Sequence, residues 1–257
     1  KNTPVATADI VGRIAQMIFA DIYTTKKFRY GKYDFAFDQM VDNTTVGAVT
    51  GGMRLKIMTV ATDSAEKAEL RLMTESSGQS IVVLADTPYY ESLENAMKIR
   101  KYVKQRNVAQ LPKTVRDIIA HYQGEADQYE QSAQMELAEA ILSGELYVDG
   151  EKIKVKPAFV SSREEDPVKK EYEIKKGKAK SVIDQSLDYL VSHVYSDLSL
   201  IQKNAESDVD ILELLSGDVI MTPGTELNRD AAARVEEYLE IQDRKHLPTS
   251  MADIQRR

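Results

Sequence analysis

The chain has 257 residues, 42% of them hydrophobic and 29% charged, and its 34 Lys and Arg against 41 Asp and Glu leave a formal net charge of −7. That is a globular balance, and it excludes a chain built as a whole to coat nucleic acid while leaving room for a local basic patch. With no cysteine there are no disulfides, thiolate metal sites or cysteine nucleophiles, and a reducing compartment fits.

Residues 8–23 keep helical spacing through Ile10, Val11, Ile14, Met17, Ile18 and Ile22, with Thr7 placed to cap the helix. Tyr33, Phe35 and Phe37 then alternate with Asp34, Ala36 and Asp38, which predicts a strand with one aromatic face. Residues 43–52 are rich in Thr and Gly and read as a connecting loop; residues 53–60 alternate again as a second strand. Ser64 starts a predicted helix to Met73, and Ile81-Val82-Val83-Leu84 is a short buried strand. Pro88 opens a helix to about Gln105.

Leu111-Pro112 starts the longest predicted helix, 112–143. Its apolar stripe takes in Val115, Ile118, Ile119, Tyr122, Ala126, Tyr129, Ala133, Leu137, Ala140 and Ile141. The step drifts close to 3.5, so this helix is expected to lie antiparallel against another. Asp149-Gly150 between two alternating runs predicts a tight hairpin over 146–155. Residues 161–180 are charged and weakly periodic and read as a loop or frayed connection. Further helices are expected around 182–191, 211–215 and 231–241, with a last helical start at Leu247-Pro248-Thr249-Ser250.

The expected fold is α/β to α+β. It has a mixed sheet of five or six strands with flanking helices, one long helix, and a small helical unit after it. The expected domains are 1–206 and 207–257. No apolar run approaches the ~20 residues that span a bilayer, so no membrane partner is expected.

Catalytic signatures fail one by one. A P-loop places Gly, then four residues, then Gly-Lys-Ser/Thr. Gly31-Lys32 has Lys26 where that first Gly belongs, and Gly177-Lys178 has Tyr172. The cluster Gly47, Gly51 and Gly52 misses the dinucleotide spacing. His121, His193 and His246 are too far apart for a helical zinc pair, and no Gly-x-Ser-x-Gly elbow supports a serine nucleophile. Asp208-Val209-Asp210 reads as an acidic helix start. No catalytic, cofactor-binding or metal residue is therefore assigned.

One stretch keeps two readings open. Lys169, Lys170, Lys175, Lys176, Lys178 and Lys180, with Tyr172 and Tyr189 nearby, have the cation density and aromatics that phosphate contact and base stacking require. Glu164, Glu165, Asp166, Glu171 and Glu173 are interleaved and weaken that field, so a solvated loop stands beside the nucleic-acid reading.

Phe28-Arg29-Tyr30 followed by the run from Tyr33 to Asp42 resembles the post-ATPase segment of BrxC/PglY proteins, large P-loop proteins of bacterial BREX and Pgl phage-defence systems. Ile81 to Asp86, Ile99-Arg100-Lys101-Tyr102-Val103, Leu111-Pro112, Leu146 to Gly150 and the helix from Ile183 to Tyr195 follow in the family's order. The resemblance covers most of residues 8–200. It implies a bacterial cytoplasmic setting and a parent ATPase that binds ATP and Mg in a domain this chain lacks. It also implies partners among the parent's other domains, other defence subunits and DNA. The chain begins at Lys1 and ends at Arg256-Arg257, and reads as a piece of that larger polypeptide. Its expected role is non-catalytic positioning of neighbours, with DNA binding through the lysines as the alternative.

Overall fold

The computed structural model describes residues 4–49, 51–62, 78–200 and 229–250. The chain divides into two units, residues 1–190 and 191–257. The expected boundary at 206/207 lies outside the described residues, as do the helices expected at 64–73 and 211–215 and the Asp208-Val209-Asp210 turn.

The first unit is built on one mixed sheet. Its strands are β1 (Lys27–Tyr30), β2 (Tyr33–Val41), β3 (Thr44–Val46), β4 (Met53–Met58), β5 (Gln79–Val83), β6 (Glu145–Val148) and β7 (Glu151–Ile153). Six follow the order β1-β2-β4-β5-β6-β7, and β3 pairs with β2. The pairs β2–β4 and β4–β5 are parallel, and all the others are antiparallel. The segment read as a loop from residue 43 thus contains a strand: Asp42 at φ 50° turns the chain so that Thr44 pairs with Val41.

Register sorts the two faces. Phe37, Val41, Leu55, Ile57, Val82, Leu146 and Val148 share one face and are all buried. The other face carries Arg54 and Lys56 beside a smaller cluster of Met58, Ile81 and Tyr147. Alternation at a period of two puts apolar side chains on the face that helices cover.

Helix α1 (Thr7–Met17) continues as a π-helical turn, Ile18–Ile22. Its cap position is Ala6 and no side chain caps it; Thr7 is the first helical residue. Tyr23, just beyond, sets its ring 6.1 Å from Phe37 on the apolar sheet face. Helices α2 (Tyr89–Lys104) and α3 (Lys113–Leu142) form the expected antiparallel hairpin. Arg100 meets Asp127 at 2.8 Å and Ser92 meets Glu136 at 2.8 Å, so contacts run up one helix and down the other. Gly144 ends α3 against the sheet; a Cβ there would sit 2.5 Å from the Val83 carbonyl oxygen.

The Asp149-Gly150 hairpin forms as its sequence demands. Leu146 pairs with Ile153 and Val148 with Glu151, leaving a two-residue turn with φ 46° and 87°. Both values are positive, the geometry whose twist matches flanking strands.

The largest departure is α4 (Pro167–Val194). Most of the segment read as a loop over 161–180 is helical. Asp166 accepts hydrogen bonds from the backbone N–H groups of Val168 (2.9 Å) and Lys169 (3.0 Å), and Pro167 occupies the first helical position. Both are helix-start signals, and they outweigh the poor periodicity that follows. Ser186 on α4 accepts a 2.9 Å hydrogen bond from the Ser80 hydroxyl on β5 and donates its own to the Ile183 carbonyl; both serines are fully buried, which seats the helix on the apolar sheet face.

In the second unit the described helix is α5 (Arg229–Arg244), whose Arg234 bridges Asp197 at 3.1 Å and Glu237 at 2.7 Å. Residues 247–250 are not helical, and 251–257 lie outside the described residues.

Candidate functional site

The six lysines singled out in the sequence all lie on α4. A helix turns about 100° per residue, so they spread around its circumference instead of forming one track. Lys175 pairs with Glu171 (3.2 Å) and Glu139 (3.5 Å), Lys176 with Asp21 (2.8 Å) and Glu173 (3.4 Å), and Lys180 with Asp184 (2.9 Å). Lys169, Lys170 and Lys178 have no ion pair among the described residues.

Tyr172, Lys176, Lys180 and Asp184 recur at four-residue steps and form one ridge of α4. The π-helical turn of α1 meets that ridge. Asp21 accepts hydrogen bonds from the Tyr172 hydroxyl and from Lys176. Tyr23 donates to Asp184 at 2.9 Å, and Asp184 also takes Lys180. Two Tyr–Asp–Lys sets thus face each other with the carboxylate supplied once from each side.

The electrostatics follow from that pairing. Burial pushes the Tyr172 and Tyr23 hydroxyls above the usual phenol range, and the neighbouring Asp21 and Asp184 carboxylates push each further. Both phenols stay protonated and act as donors. Burial works to lower the Lys176 ammonium, but Asp21 and Glu173 outweigh it and hold it above its ordinary value. Tyr172, expected as a stacking partner for bases, has its hydroxyl bound to Asp21. Tyr189 donates to Glu151 at 3.0 Å. The signal that could have found this site is the four-residue step itself; its partners on α1 lie some 150 residues away and carry no local mark.

Beside the ridge lies a groove of about 650 Å³, lined by Asp21, Ser161, Ser162, Arg163, Glu173 and Lys176 among others. Its outer wall is an extended strap, residues 154–164, in no helix or strand. Three contacts hold the strap on α4. Gln185 donates to the Lys156 carbonyl at 2.8 Å, Ala158 N–H donates to Ser181 at 2.9 Å, and Val160 packs against Gly177. A Cβ at 177 would stand 2.7 Å from a Val160 methyl, so glycine is what allows this approach.

A second polar network sits at the carboxyl ends of β2 and β4. Asp42 accepts from Thr59 N–H at 2.7 Å and from the hydroxyls of Thr59 (2.8 Å) and Thr62. Tyr89 accepts from Val60 N–H at 3.0 Å. Asp42 gathers the Thr59 and Thr62 donors and Tyr89 takes the next backbone N–H, which makes this a lock on the strand ends.

The Gly-Lys pairs also find their places. Gly31-Lys32 forms the β1–β2 turn, and Gly177-Lys178 lies inside α4. A phosphate cradle needs a loop feeding a helix N-terminus, and neither pair has one. Among the described residues, no three His, Asp or Glu side chains gather where a metal ion would sit, and no helix is long and apolar enough to cross a membrane. His121 pairs with Glu125 at 3.3 Å on the surface of α3, and His193 is exposed.

Fold and site together define an α/β sheet domain braced by a helical hairpin, its internal charges spent on one another. The family model described as "BREX ATP-binding protein BrxC 4th domain with six-stranded beta sheet" matches residues 3–166. That is well over half of the chain, and the six-stranded path β1-β2-β4-β5-β6-β7 agrees with the description. The chain belongs to the BREX BrxC family. No solved structure matches it.

Proposed function

We propose that this chain is a non-catalytic positioning module of a BrxC-family ATPase in bacterial phage defence, working in the cytoplasm. It holds neighbouring domains of the same polypeptide, and through them other defence subunits, in a fixed relation. ATP and Mg are bound by another domain of the parent and not by this one.

The observation that carries the reading is an uncovered apolar face on α3. Val115, Ile118, Tyr122 and Tyr129 fall on one side of that helix and remain exposed, Ile118 by 55% and Tyr122 by 48%. Antiparallel contacts place the end of α2 opposite about the middle of α3, so the first third of α3 runs on past it. A contiguous apolar patch on a projecting helix marks a protein–protein contact. The family description, a fourth domain, names the kind of neighbour available: another domain of the same protein. The self-paired Tyr–Asp–Lys sets support the non-catalytic part, because protonated phenols and paired ammoniums offer no poised nucleophile or base.

The test uses the full-length BrxC-family protein carrying Ile118→Asp with Tyr122→Asp. Both side chains are exposed, so the expected result is unchanged thermal stability of this domain with loss of cross-links between it and its neighbours. Retained cross-links would overturn the reading. The isolated chain is expected to hydrolyse no ATP with Mg present, and turnover abolished by a substitution in this chain would also overturn it.

DNA contact through the helix lysines is the second reading. Its support is narrowed to Lys169, Lys170 and Lys178, which have no ion pair among the described residues.

A further inference from the structure

β7 is an edge strand, and its outer neighbours in sequence carry a cation at every second position: Lys152, Lys154 and Lys156. All three are exposed, while Ile153 and Val155 between them are partly covered, so the alternation of a strand continues into the strap. Side chains two apart on extended chain repeat about every 6.6 Å on one face. Lys152 is paired with Glu145 at 2.5 Å. Lys154 and Lys156 have no partner among the described residues, and neither does Arg163 further along.

Between these cations stands Phe159, 93% exposed. It is no frayed side chain on a loose loop. Its flanking residues, Ala158 and Val160, are both tied to α4, while Phe159 itself is left to solvent. A large aromatic left in water gains nothing for the fold, and with its neighbours tied down the backbone beneath it needs little further ordering when something stacks on it. Beyond it the strap's hydroxyls, Ser161 and Ser162, and the Arg163 side chain line the groove. The nearby acidic run is partly spent: Asp166 caps α4, and Glu164 accepts from the backbone N–H of Glu165 at 3.1 Å.

We propose that residues 152–163 bind single-stranded nucleic acid, the lysines and Arg163 following the phosphates and Phe159 stacking on a base. Cations along an extended path with an exposed aromatic are the elements of sequence-tolerant single-strand binding. A helix-borne lysine patch is not needed, so the site stands apart from Lys169, Lys170 and Lys178. The rival for these lysines is protection of the sheet edge against pairing with another chain. That role would be served by Lys152 on β7 itself and gives Phe159 nothing to do.

The experiment is fluorescence anisotropy of the whole chain with labelled oligothymidylate, oligouridylate and a duplex of equal length, over a salt series. Binding of either single strand in preference to duplex is expected, and the two single strands tell DNA from RNA. Each phosphate neutralised on a single strand contributes about −0.7 to the slope of log affinity against log salt. Lys154→Ala with Lys156→Ala should flatten the slope by about 1.4. Phe159→Ala should weaken binding roughly 5- to 150-fold, the range for loss of one stacked base, with an unchanged circular dichroism spectrum. Lys169→Ala with Lys170→Ala should leave the affinity within about twofold. No binding at low salt would overturn the proposal. So would indifference to Phe159→Ala, displacement by polyglutamate as effective as by the oligonucleotide, or loss confined to the Lys169 and Lys170 variant. Aggregation of the Lys154 and Lys156 variant with oligonucleotide affinity intact would assign those lysines to the sheet edge and overturn it as well.

Discussion

Asp21 shows how much one carboxylate decides in this fold. It sits in the π-helical turn, where the widened backbone brings it to α4, and it takes hydrogen bonds from both Tyr172 and Lys176. The pH consequence has a definite sign. Tyr23, Tyr172 and Tyr89 are held protonated above the ordinary phenol range, and Lys175 and Lys176 are held charged above the ordinary ammonium range. All five have folded values raised over unfolded ones, so their contribution is complete below about pH 10 and lost as the pH climbs beyond it. Urea midpoints should be flat to about pH 10 and then fall, and Tyr172→Phe should make the alkaline fall shallower. A midpoint that rises with alkali would contradict this. At the scale of single residues, what could be read in advance was local: Asp149-Gly150 needs only its two positive φ values, which two neighbouring residues declare. Asp21 could not be read because its partners lie far along the chain, and a lone Asp near a helix end looks like any solvated acid.

Among the elements, α4 is where reading and structure part. Its exposed first half offers little apolar periodicity, and lysines beside glutamates resemble a solvated loop. The Asp166-Pro167 start was present in the sequence, yet charge density masked it. β3 was missed for another reason: three residues flanked by Asn and Gly carry too short a period to register. The long helix, by contrast, declared its length and its antiparallel partner through a stripe over many turns. Two glycines in helices now predict opposite outcomes. Gly124 in α3 has open space where a Cβ would go, so Gly124→Ala should stabilise by about 1 kcal/mol, the difference in helix propensity. Gly177 in α4 faces Val160, so Gly177→Ala should forfeit that gain and free the strap, seen as faster tryptic cleavage after Lys154 and Arg163, the Lys156 bond being closed to trypsin by Pro157. Equal stabilisation by both substitutions would show that the strap is not held by this contact. Glu130 on α3 reaches Arg13 on α1 and Arg100 on α2 together, and so ties these three helices at one carboxylate.

At the scale of the sheet-bearing unit, residues 1–190, the alternation of strands and helices announced a mixed α/β sheet, and that expectation holds with one strand more than foreseen. The order of the strands was hidden, because periodicity says which face a residue takes and nothing about which strand lies beside it. Central position has an energetic price that can be measured. Leu55 on β4 is fully buried between two parallel neighbours, and Leu55→Ala should cost about 2–5 kcal/mol through lost burial and the cavity left behind. Chemical denaturation of the whole chain reads that loss; a change below 1 kcal/mol would mean the sheet centre is not the core.

The neighbour of β5 on its far side is β6, which begins only at Glu145, with the α2–α3 hairpin filling the sixty or so residues between. During synthesis at about 5–20 residues per second, β5 therefore waits several seconds with one row of amides and carbonyls unanswered. The hairpin that emerges meanwhile is held by contacts between near neighbours and can close early. Birth order thus makes the helices a shelter for a sticky strand, and it locates the moment when a ribosome-bound chain is most exposed to capture by another.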